Sequence, residues 1–134
     1  MSCTCENVID TVNVDHGEGF KLQTALQQIR APQAWRIHRG DPSVRVAVID
    51  TGIDYRHKDL RKNILWDGKR PVGRSFFDSS KTPDDDHSHG THVAGIIGAV
   101  GNNRRGIAGV SCRVSLMPIK AFDKDGFGSA FRMA

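Results

Sequence analysis

Val44 to Ile49 is a run of apolar residues broken by a single arginine, and most of its members are β-branched. Such a run predicts a strand covered on both faces, as in a parallel sheet. Upstream, Leu22, Ala25, Leu26 and Ile29 recur at helical spacing between Lys21 and Ile29. Pro32 interrupts that helix and starts another, since a first helical position needs no N–H. Ala31 to Ile37 then reads as a short helix stopped near Gly40, with a turn at Asp41-Pro42. Residues 51–85 are irregular, with turn signals at Asp67-Gly68 and Pro83-Asp84 and two apolar patches, Ile64–Trp66 and Ser75–Phe77, that read as minor strands.

From His89 to Val100 the pattern is helical but rich in Gly and Ala. Each glycine costs a helix about 1 kcal/mol relative to alanine. The composition therefore predicts a buried helix that a neighbour approaches closely. Gly101-Asn102-Asn103 ends it with left-handed chemistry. A second strand, Arg113 to Lys120, follows, then a glycine-bearing loop at Asp125-Gly126-Phe127-Gly128 and Ser129 as the cap of a further helix. Strands alternating with helices predict an α/β fold with a parallel sheet. Residues 1–19 read as a polar lead-in, loosened by Gly17 and Gly19, and residues 20–134 as one unit.

Composition narrows the function classes little. The net charge of +4 comes from 19 basic and 15 acidic residues scattered along 134 positions. Arg104-Arg105 is the densest basic pair and has no aromatic residues interleaved, so nucleic-acid binding is not indicated. No apolar stretch approaches the ~20 residues of a membrane span. The N-terminus lacks a basic and then apolar leader, so no signal peptide is visible. Cys3-Thr4-Cys5 is too tightly spaced for a zinc half-site, and the three cysteines read as free thiols, with Cys112 at a strand entrance.

The candidate chemistry sits at the ends of these elements. In a parallel α/β sheet, reactions lie beyond the carboxyl ends of the strands. Asp50 falls there, and Gly52 lets the chain turn sharply behind it. An aspartate so placed can accept the Nδ1–H of a histidine and leave Nε2 free as a base. His89 opens the glycine-rich helix, whose N-terminus should disfavour the protonated imidazole and keep it available near neutral pH. His92, one turn on, reads as a satisfied packing residue. Residues 84–92 hold three aspartates and three histidines. Metal binding by Asp86, His87 and His89 is therefore a rival reading, although no His-Glu-x-x-His pattern occurs. Asp-Thr-Gly also begins the aspartic-protease motif, but its required second copy is missing.

Val46-Ala47-Val48-Ile49-Asp50-Thr51-Gly52-Ile53-Asp54 resembles the aspartate motif of subtilisin-like serine proteases (subtilases, peptidase family S8), and His89-Gly90-Thr91-His92-Val93-Ala94-Gly95-Ile96 resembles their histidine motif. The order, Asp before His, is the subtilisin order. Gln28 to Trp35 is similar to the segment before the family's first core strand, and Gly106 to Val110 to the turn after its histidine helix. The resemblance runs from about Leu22 to the C-terminus. It implies a partial subtilisin-like parallel sheet with flanking helices, ending before the serine-bearing half.

The resemblance further implies roles. Asp50 would be the orienting acid and His89 the general base of a peptide-bond hydrolase. Phe122 would line the pocket for a substrate residue, and Gly126, Phe127 and Gly128 would pair with substrate backbone in β-strand fashion. Asp59 and Asn103 match a structural calcium site, beside which Arg104 and Arg105 place like charge; no organic cofactor is implied. Protein or peptide substrates, a propeptide outside this chain and a secretory compartment follow from the same family. The nucleophile belongs about 155 residues beyond the histidine, whereas 45 residues follow His89. Ser129 stands in the substrate-strand region, not at a serine elbow. The expectation is a serine endopeptidase present as a fragment without its nucleophile and inactive alone. A half-sheet of this kind would also leave a strand edge open to aggregation. The alternatives are a truncated product that only binds peptide, and the His/Asp metal-binding module.

Overall fold

The computed structural model describes residues 18–77 and 82–128. Its elements in chain order are α1 (Glu18–Lys21), α2 (Thr24–Gln28), α3 (Ala31–Ala34), β1 (Gly40–Asp50), β2 (Trp66–Asp67), β3 (Arg70–Pro71), β4 (Arg74–Ser75), α4 (His89–Gly98) and β5 (Arg113–Lys120). β1, β5 and β4 form one sheet in that spatial order, with both pairings parallel. β2 and β3 make a small antiparallel hairpin, and Ile64 joins the main sheet by an isolated bridge to Leu116. The expected α/β fold with a parallel sheet is what forms.

β1 and β5 run in continuous register from Arg45↔Ser115 to Asp50↔Lys120. Their carboxyl ends are thereby level, and Asp50 and Lys120 become neighbours. Helix α4 lies on both strands. Its glycines serve the close approach that their cost in helix propensity predicts: a Cβ on Gly98 would stand 2.6 Å from Cγ1 of Val114. Beneath α4 the core gathers Val48, Ile53, Tyr55, Leu60, Ile64, Ala94, Ala99, Val114 and Leu116. A smaller cluster of Leu26, Ala31, Trp35 and Ala108 holds the N-terminal helices, helped by the Trp35 indole N–H donating to the carbonyl of Val110 at 2.8 Å.

Several expectations change. The helix read from Lys21 to Ile29 is broken into α1 and α2, and of its apolar stripe only Leu26 is buried, with Leu22 and Ile29 exposed. The break falls beside Gln23, whose side-chain amide bonds both the N–H and the C=O of Ala108, at 2.8 and 2.9 Å. β1 is not covered on both faces. Val48 is buried while Val44 and Ile49 are exposed, and among the described residues only β5 pairs with it. The patches at Ile64–Trp66 and Ser75–Phe77 contribute one bridge and the ends of two-residue strands. Cys112 is disulfide-bonded, not a free thiol. Cys3, Cys5, most of the lead-in and Ser129 lie outside the described residues.

Candidate active site

The turn after β1 and the start of α4 meet at one point. Gly52 turns the chain with φ +111°, a conformation that side chains disfavour. Asp50 therefore ends its strand with its carboxylate directed at α4. Asp50 Oδ1 accepts the N–H of Thr51 at 2.7 Å and the Nδ1–H of His89 at 2.8 Å, and Oδ2 lies 3.0 Å from the same nitrogen. A carboxylate only accepts, so this contact fixes the proton on Nδ1 in the neutral ring. No described residue bonds Nε2. The carboxylate is 13% exposed and the imidazole 62%.

The hydrogen bond that His89 donates to Asp50, and the negative charge of Asp50, raise the pKa of His89 above the ordinary 6.5, with a smaller contribution from the charge of Asp85. The direction opposes the expectation from the helix N-terminus. A full carboxylate charge in contact outweighs a partial dipole charge of about half a unit.

A cleft of 540 Å³ opens beside the pair, lined by Ile49, Asp50, Thr51, His87, His89, Phe122 and Gly126. Phe122 is held there because its N–H, with that of Ala121, donates to the carbonyl of Asp50, at 3.2 and 2.8 Å. Gly126 turns at φ +79° against His87, whose Nε2 would lie 3.4 Å from a Cβ at that position. Phe127 is 73% exposed and does not line the cleft. Its N–H and C=O instead close a turn with Asp123, both at 2.9 Å, and Gly128 bridges Phe122 in antiparallel fashion. The structure thus brings Phe122 and Gly126 to the pair and sets Phe127 apart. His87 is a cleft residue that sequence reasoning considered only as a metal ligand.

The acidic stretch before α4 divides its labour. Asp84 pairs with Arg56 on the surface. Asp85 bonds residues of the turn and of the helix. Asp86 accepts from Lys120 Nζ, a buried ammonium that also donates to the carbonyl of Thr51 at 2.7 Å. The rings of His87 and His89 lie 6.4 Å apart. Among the described residues no group of three or more His, Cys, Asp or Glu is placed to hold a metal ion. His92 is satisfied, as expected, through the Ser88 carbonyl at 2.8 Å, but it is exposed and packs against no core.

Asp59 and Asn103 are brought together. Asp59 is 4% exposed, and its carboxylate accepts from the Asn103 side-chain amide and, at 3.0 Å, from the N–H of Ile107. No described cation pairs with it. The amide oxygen of Asn103 meanwhile accepts the N–H of Arg105 at 3.0 Å. Calcium takes about six to eight oxygen ligands, of which Asp59 and Asn103 would supply only a share.

A family-level sequence profile described as the Subtilase family matches residues 41–133. Thermitase of Thermoactinomyces vulgaris is 41% identical over 107 residues, covering 80% of this chain and 36% of its own length. The thermophilic serine proteinase of Bacillus sp. (strain AK1) is 38% identical over 123 residues, 92% of this chain and 29% of its own length. Halolysin of Haloferax mediterranei is 38% identical over 119 residues, 86% and 22% respectively. The chain spans about a third or less of the length of these relatives.

Proposed function

Because this chain belongs to the subtilase family of serine-type peptidases, we propose that Asp50 and His89 are the orienting acid and the general base of a peptide-bond hydrolase. The observation that carries this reading is the 2.8 Å contact between His89 Nδ1 and Asp50 Oδ1, on the C-terminal edge of a parallel sheet and beside an open cleft. A serine hydroxyl gives its proton to Nε2 of His89 as it attacks the substrate carbonyl. The imidazolium, stabilised by Asp50, then returns that proton to the leaving amine. The raised pKa of His89 is in keeping with an imidazole prepared to carry charge mid-reaction.

The nucleophile in this reading is not Ser129. In this reading it lies outside the third or so of the relatives' length that these residues match, and the 134-residue chain by itself is expected to be inactive. Phe122 and Gly126 contribute to the substrate cleft, and Gly128 to the backbone segment beside it. A serine-directed fluorophosphonate tests the assignment. The 134-residue chain is expected to remain unlabelled, while a longer product including the serine motif is labelled at that serine. Labelling of Ser129 in the isolated chain would overturn the account.

Calcium at Asp59 and Asn103 belongs to the same proposal, as a structural cross-link between residue 59 and the loop after α4. Chelation is expected to lower the melting temperature by several degrees, in line with the linkage between ligand binding and stability. An unchanged melting temperature would mean that Asn103 and the Ile107 N–H suffice. A secretory route accords with the disulfide at Cys112, since such bonds persist in oxidising compartments.

A further inference from the structure

Asp85 gathers five donors on one carboxylate. Oδ1 accepts the Thr51 hydroxyl at 2.8 Å, the Ser88 N–H at 2.9 Å and the His87 N–H at 3.0 Å. Oδ2 accepts the Thr91 hydroxyl at 2.5 Å and the Thr91 N–H at 2.9 Å. The two hydroxyls come from opposite sides of the candidate site, one from the turn after β1 and one from the first turn of α4.

Each hydroxyl also accepts one backbone N–H across that junction. Thr51 Oγ1 takes the N–H of Gly90 at 3.0 Å, and Thr91 Oγ1 takes the N–H of Asp54 at 2.9 Å. A hydroxyl has one proton and can turn it to either partner. Once that proton is committed to a carboxylate, the lone pairs are left for the N–H groups. The residues so joined, Thr51 and Gly90, adjoin Asp50 and His89 in sequence.

We propose that Asp85 is a positioning residue for the Asp50–His89 pair, holding the Thr51 and Thr91 hydroxyls in the orientation that docks α4 onto the turn after β1. The inference rests on the reading of Asp50 and His89 as acid and base. Burial pushes the Asp85 pKa up, but the Thr91 hydroxyl, the His87 N–H, the Thr51 hydroxyl and the Thr91 N–H pull it down to about 2. The carboxylate is thus ionised, and acceptor-only, throughout the range in which a histidine titrates. Lys120 holds the same turn from the other side through the Thr51 carbonyl. It leaves the hydroxyl to Asp85.

The test is the titration of His89 by NMR in the full 134-residue chain, together with its Nδ1–H resonance. Asp85→Asn presents an NH2 group to donors it cannot accept. The Nδ1–H signal is expected to disappear, with a fall in the His89 pKa toward 6.5 that exceeds the small part owed to the Asp85 charge itself. Thr51→Val, which keeps shape but removes the hydroxyl, should do the same, whereas Thr51→Ser should retain both signatures. A purely local role for Asp85, capping the His87 and Ser88 N–H groups, would leave His89 unmoved by either Thr51 variant. If Asp85→Asn does not fold, the Val/Ser pair at position 51 decides. A wild-type His89 titration in folded Thr51→Val would overturn the proposal. Asp50→Asn serves as the separate control, because its failure to move the His89 pKa would count against the acid–base reading itself and not against the role of Asp85.

Discussion

Replacing Asp50 by asparagine is expected to reduce the kcat of a polypeptide joining this chain to the serine-bearing part of a subtilase by about four orders of magnitude, with KM little changed. The carboxylate makes two contributions to His89. It accepts from Nδ1–H, so the ring holds its proton there and offers the Nε2 lone pair. It also balances the positive charge that the ring acquires mid-reaction. An asparagine amide can donate to Nδ1 instead, which moves the ring proton to Nε2 and removes the base. Because the Asp50 hydrogen bond and charge raise the His89 pKa, the substitution should also bring that pKa down toward 6.5. A histidine whose pKa is raised in the folded state adds stability that is full below its unfolded pKa and fades as pH rises through the folded value. The variant should therefore lose that portion of the pH dependence of stability on the acidic side of the His89 titration. A drop in kcat of less than tenfold would remove Asp50 from the mechanism.

What the sequence made legible follows from range. Asp50 and His89 each sit at the boundary of a strongly patterned element, and their motifs are contiguous, so both were readable before any contact was known. The glycines of α4 were readable for the same reason, since a helix that poor in propensity needs a neighbour close against it. The three consecutive aspartates were not. Nothing in Asp84-Asp85-Asp86 tells which pairs with Arg56, which with the two threonines and which with Lys120, because these partners lie up to 34 residues away. Only the fold distributes them. The apolar spacing of 22–29 misled because two hydrogen bonds between the Gln23 side chain and Ala108, 85 residues on, hold the chain where the helix breaks. The β1 strand misled on its second face, where Ile49 is exposed and no described residue supplies a cover.

Gly90→Ala is expected to destabilise the protein by about 1–3 kcal/mol, as overpacking does, and to detach His89 from Asp50. Gly95→Ala in the same helix should be neutral or stabilising. The gain in helix propensity is about 1 kcal/mol in a helix interior such as position 95 and smaller in the first turn, where Gly90 lies, so propensity alone separates the two variants by less than that. What differs most is the neighbour. A Cβ on Gly95 meets only the flexible end of Ile107 at 3.4 Å, an ordinary contact. A Cβ on Gly90 overlaps the carbonyl oxygen of Gly52 and stands 3.0 Å from the Cβ of Asp50. Gly52 is itself held by its unusual φ, so its carbonyl has little freedom to yield. The helix must retreat instead. Retreat lengthens the Gly90 N–H bond to Thr51 Oγ1, now 3.0 Å, and draws His89, one residue earlier, away from the carboxylate. Thermal melts of the two variants separate propensity from approach, and the His89 titration reports whether the retreat reaches the site. If Gly90→Ala melted no lower than Gly95→Ala, contact between α4 and the Asp50 turn would not be what demands glycine there. Position 90 joins the two halves of the story: the absence of a side chain that makes α4 a poor helix is what lets its first turn reach the acid.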